Sequence, residues 1–84
     1  MRELTVSTQM KRYEVVREIF NNCSNNQMRD VHIEDVSLDD VDAYMNRYRV
    51  GKDIDELRMV DPDGTIVYEL VCDGLKQRVS FTEA

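Results

Sequence analysis

Apolar and polar residues change their period along this chain, and the changes predict its elements. Leu4 and Val6 alternate with Thr5 and Ser7, as in a short strand. From Gln9 to Asn22 the apolar side chains Met10, Tyr13, Val16, Ile19 and Phe20 fall on one side of an α-helix, with Lys11, Glu14 and Glu18 opposite. Thr8 is placed to cap that helix. The polar run Asn21 to Gln27 reads as a loop, because Asn and Ser side chains compete for backbone hydrogen bonds. Val31 and Ile33 then alternate with Asp30, His32 and Glu34, which predicts a second strand with one face buried and one wet. A second helix is expected from Ser37, where a hydroxyl cap precedes Asp39 and Asp40 at the positive end of the dipole. Leu38, Val41, Tyr44, Met45 and Tyr48 form its apolar stripe, Arg47 and Arg49 lie at its negative end, and Gly51 suits the left-handed residue beyond it.

The segment from Glu56 to Thr82 predicts a three-stranded antiparallel meander. With Asp73-Gly74 as a two-residue type I′ turn, Cys72 faces Leu75, Leu70 faces Gln77, Tyr68 faces Val79 and Ile66 faces Phe81. That face is nearly all apolar. The other pairs Val71 with Lys76, Glu69 with Arg78, Val67 with Ser80 and Thr65 with Thr82, including one pair of opposite charges. Asp61-Pro62-Asp63-Gly64 is a turn by composition. A two-residue loop there would put Leu57 and Met59 on the core face, and a three-residue loop with a Gly bulge would put Val60 there instead. The expected order is β-α-β-α-β-β-β, an α+β two-layer sandwich in which the C-terminal meander carries both helices on one face.

Composition bounds what such a domain can do. The chain has 84 residues, 42% apolar and 33% charged, enough for a single small globular domain over residues 1–84. No apolar run approaches the length of a membrane span, and the N-terminus lacks the apolar stretch of a signal peptide, so a cytoplasmic protein without membrane attachment is expected. Cys23 and Cys72 show no CxxC spacing and read as packing or incidental residues, kept as thiols in a reducing compartment.

The net charge of −6 argues against direct nucleic-acid binding. Asp30 to Asp73 holds thirteen acids against Arg47, Arg49, Lys52 and Arg58. Helix starts and turns account for Asp39, Asp40, Asp42, Asp61, Asp63 and Asp73. Asp30, Glu34, Asp35, Asp53, Asp55 and Glu56 remain, and they could gather at one edge of the sheet.

Catalytic chemistry finds little footing. His32 shares a strand face with Asp30 and Glu34, but a flat strand diverges rather than encircling an ion, so no metal or other cofactor is expected. The turn at Asp61 matches a calcium loop only in part, since Met59 and Leu70 stand where the first and twelfth ligands belong. Neither cysteine is brought to His32 by any sequence pattern.

The reading is therefore a non-enzymatic protein that binds another protein, with Asp53, Asp55, Glu56, Glu34, Asp35, Val67 and Val71 as candidate partner-binding residues. Val67 and Val71, on the wet face of the meander, could also support a weak homodimer. The alternative is an acidic nucleic-acid mimic that inhibits a nucleic-acid-processing enzyme, as phage or mobile-element anti-defence proteins would.

Overall fold

A computed structural model describes residues 10–23 and 26–84. Its elements are β1 (Lys11–Cys23), β2 (Asn26–Leu38), α1 (Val41–Met45), β3 (Ile54–Val60), β4 (Ile66–Cys72) and β5 (Leu75–Glu83). The five strands form one sheet in the order β2-β1-β5-β4-β3, every neighbour antiparallel. The expected two-helix α+β sandwich is thus corrected to a mainly β fold with one short helix among the described residues.

The C-terminal meander forms in the expected register. Cys72 pairs with Leu75, Leu70 with Gln77, Tyr68 with Val79 and Ile66 with Phe81. Asp73 and Gly74 both have positive φ, 49° and 87°, as a type I′ turn requires. At the other hairpin Asp61 donates to the Thr65 carbonyl at 2.9 Å and Gly64 donates to the Asp61 carbonyl at 2.9 Å. The three-residue loop therefore holds, which turns Val60 to the helix side and Leu57 and Met59 to the opposite face.

The predicted helix from Gln9 to Asn22 is replaced by β1. Tyr13, Val15, Val16, Ile19 and Phe20 are β-branched or aromatic, and such residues favour a strand flanked on both sides. The helical stripe counted Val16 and Phe20 with Tyr13 and Ile19, but in the strand these pairs point to opposite faces. Tyr13, Val15, Arg17 and Ile19 face the helix, and Glu14, Val16, Glu18 and Phe20 face away. The loop expected at Asn21 to Gln27 gives way to continued pairing, Asn21 with Met28, Asn22 with Gln27 and Cys23 with Asn26. The first strand at Leu4 and Val6 and the cap at Thr8 lie outside the described residues.

The second helix begins later than expected. Leu38 ends β2, and Asp40 rather than Ser37 caps α1, its carboxylate accepting from the Ala43 N–H at 3.1 Å. After Met45 the chain tightens into three-residue turns, with Tyr48 N–H on the Met45 carbonyl at 2.9 Å. The apolar stripe still docks on the sheet. Met45 is fully buried with Val15, Tyr68, Leu70, Val79 and Phe81, and Leu38, Val41, Tyr44 and Tyr48 pack around them. Phe81 is the centre of this core, edge-on to Tyr13, Tyr44 and Tyr68 with ring centroids 6.2, 5.7 and 5.8 Å away. One face of the sheet is covered by α1, and among the described residues the other is uncovered.

Candidate functional site

Strand register lays out the uncovered face row by row. Ile33 pairs with Val16, Val16 with Ser80, Ser80 with Val67 and Val67 with Met59, so one row crosses all five strands with four apolar side chains and a single hydroxyl. Ile33 is 64% exposed and Met59 is exposed too, while Val16 and Val67 are half-buried between them. The next row is Val31, Glu18, Arg78, Glu69 and Leu57. At its centre Arg78 bonds Glu69 at 2.9 Å, the ion pair expected from the register. Together these rows floor a shallow depression of about 440 Å3 lined by Glu18, Met59, Val67, Glu69, Arg78 and Ser80. On the far side of the apolar row, Asp35 stands directly opposite Glu14.

Val31 and Ile33 were expected on a buried strand face. They are exposed here because β2 is an edge strand whose alternation turns them away from α1, leaving Asp30, His32 and Glu34 on the helix side. Along β2 runs a groove of about 440 Å3 lined by Val15, Arg17, His32, Glu34 and Tyr48, with Val31 and Ile33 of β2 also at its wall. The Arg17 guanidinium lies 4.4 Å over the Tyr48 ring and bonds the buried Gln77 at 3.0 Å. Tyr44 and Tyr48 share a 3.4 Å contact between hydroxyls. Burial, reinforced by that hydroxyl, pushes the Tyr44 phenol up to about 12.

The candidate acids do not gather at one edge. Glu34 and Asp35 are on β2 while Asp55 and Glu56 are on β3, the two opposite borders of the sheet. Four inter-strand steps of about 4.8 Å separate them by roughly 19 Å. Several acids are also engaged. Arg49 reaches Glu56 with two bonds of 2.6 and 3.0 Å, the Asp42 carboxylate with one of 2.7 Å and the Asp42 carbonyl with one of 3.1 Å. Its hydrogen bond to Asp42 holds that carboxyl below its usual value. Tyr68 donates to Asp42 at 3.4 Å and Arg58 donates to Tyr68 at 3.3 Å, which extends the network under β3. Asp73 accepts from the N–H groups of Lys52 and Asp53 at 3.1 and 2.9 Å. Asp53 lies just before β3, and Asp55 sits on the uncovered face opposite Val71.

Val67 and Val71 do share the uncovered face, and Val67 belongs to the apolar row. Sequence reading missed Val16, Ile33 and Met59 beside it, because Val16 was assigned to a helix and Ile33 to the core. Tyr13, Val15 and Ile19 at two-residue spacing, broken by Arg17, were a partial strand signal that Val16 and Phe20 on the other face weaken.

Among the described side chains, Cys72 and His32 stay apart. Cys72 is buried and donates to the Tyr48 carbonyl at 3.4 Å, three strand steps from the exposed edge that carries His32. Among the described residues no three His, Cys, Asp or Glu groups come together as a metal site would need, and no helix is long and apolar enough to cross a membrane. Comparison of the chain with family models, with curated proteins and with solved structures gives no match in any of the three.

Proposed function

We propose that this is a non-enzymatic binding protein that takes a protein partner on its uncovered sheet face. The observation that carries this reading is the apolar row Ile33, Val16, Val67 and Met59, broken only by Ser80, across all five strands. Apolar area supplies the driving force for association, and the exposed acids Glu14 and Asp35 beside the row favour a partner with an apolar ridge and a basic group at its margin. A cytoplasmic setting suits the buried free thiol of Cys72. Nucleic-acid mimicry is less well supported, because its acids are divided between two borders of the sheet and Glu56 is held by Arg49.

The test is affinity capture from the host by the wild-type chain, by an Ile33→Lys/Met59→Lys variant and by His32→Ala as a control in the helix-side groove. Both lysines sit at exposed positions, so circular dichroism should show an unchanged fold. Wild type and His32→Ala should retain one partner that the double lysine variant loses. Equal capture by all three would refute the assignment of the face. Binding that collapses between low and moderate salt would favour charge mimicry instead.

A further inference from the structure

Among the described residues no strand pairs with the outer border of β3, and that border has the pattern of a strand that pairs with itself. All seven of its residues are exposed, Leu57 and Val60 to 55% each. An uncovered border strand presents unpaired N–H and C=O groups and is a template for another strand. Which groups are free follows from the ladder. Asp61 donates to Thr65 and Asp73 donates to the Asp53 carbonyl at 2.8 Å, so the odd-numbered residues of β3 turn their backbone groups to β4. The N–H and C=O groups of Ile54, Glu56, Arg58 and Val60 therefore point outward.

We propose that two copies of this chain associate by antiparallel pairing of β3 with β3 about a two-fold axis at Leu57, joining their sheets into one. In that register Leu57 meets Leu57 of the second copy, Glu56 meets Arg58, Asp55 meets Met59 and Ile54 meets Val60. Symmetry makes every unlike pair occur twice. The outward residues Ile54, Glu56, Arg58 and Val60 then face one another as hydrogen-bonded pairs, and Leu57 occupies the closer position that lacks backbone bonds. Neighbouring registers with the same hydrogen-bond phase set Glu56 against Glu56 or Arg58 against Arg58, and like charges directly opposed are unfavourable. Charge thus selects a single register. Glu56 keeps its two bonds to Arg49, since a carboxylate has acceptor sites for a second cation.

Sedimentation equilibrium of the wild-type chain from low to high micromolar concentration tests this directly, and a monomer–dimer equilibrium is expected. R58E and E56R each oppose like charges at both pairs and should each weaken self-association at least tenfold. Mixing them restores unlike charges at both pairs, so the mixture should dimerise where neither variant does alone. A wild-type chain that remains monomeric at high micromolar concentration would overturn the proposal without recourse to any variant. So would a dimer indifferent to R58E, or one broken by Val67→Lys on the sheet face and not by the charge change at the border.

Discussion

Replacing Gly51 by alanine should expose how the entry to β3 is built. Gly51 has φ +128°, a conformation that strains any L side chain, and an added Cβ would lie 2.9 Å from Cγ of Asp73. That carboxylate is not free to retreat. It accepts from Lys52 and Asp53 N–H groups, while the Asp73 N–H holds the Asp53 carbonyl. Backbone strain of this kind costs about 1–3 kcal/mol, and alanine returns about 0.4–1 kcal/mol by restricting the unfolded chain. Loosening the exposed amide–carboxylate bonds adds about 1 kcal/mol.

The net loss is about 2 kcal/mol, which for a domain of this size lowers Tm by roughly 8–16 °C. Asp73→Gly tests the steric part separately, because glycine keeps the positive φ of that position while removing the carboxylate. Alone it should cost about 1 kcal/mol through the lost amide bonds. In the double variant the alanine Cβ enters the space the carboxylate vacated, so the loss should fall short of the sum by about 1 kcal/mol. Thermal and urea unfolding of the four proteins, followed by circular dichroism, closes the cycle. Additivity within about 0.3 kcal/mol would refute the steric link, and an unchanged Tm for Gly51→Ala would refute the strain argument as well.

Two further outcomes concern titrating groups. Arg49→Gln removes the bonds to Asp42 and Glu56 and should lower Tm by several degrees at neutral pH. Because Arg49 depresses the folded-state value of Asp42, its contribution is present above the unfolded carboxylate value of about 3.9 and is lost as pH falls through the depressed one, so the variant's stability should decline less steeply below about pH 4. For Tyr44 the sign is reversed: a folded value pushed up to about 12 gives stability that is complete below the unfolded value of about 10 and is lost as pH rises between them. Tyr44→Phe should remove the late step from an ultraviolet phenolate titration and flatten the alkaline limb of a Tm–pH curve.

The meander was legible because its information is local. A two-residue Asp-Gly turn fixes the phase of both flanking strands, and alternation over Ile66 to Cys72 then sorts every residue by face. β1 was not legible for the opposite reason. Its partners are β2 on one side and the distant β5 on the other, and a strand apolar on both faces offers the same residues to a helical count and to a strand count. The uncovered face depended on that one assignment: with β1 read as a helix, Val16 could not be seen beside Val67, nor Ile33 beside Val16. The dispersal of the acids was equally hidden, since strand order rather than sequence places β2 and β3 at opposite borders.

The seam between β1 and β5 also has a consequence for how the chain reaches this structure. The β1–β2 hairpin and the β3–β4–β5 meander are each closed by neighbours in sequence, but they join through pairs such as Arg17 and Gln77, 60 residues apart. Closing so long a loop comes late in folding and slows it. During synthesis β5 is the last of these five strands to emerge, so until then the border of β1 that it pairs with, in a strand apolar on both faces, lacks that mate. The order of manufacture therefore leaves the centre of the finished sheet as its last open margin, and that interval is when the nascent chain is most exposed to pairing with the wrong strand.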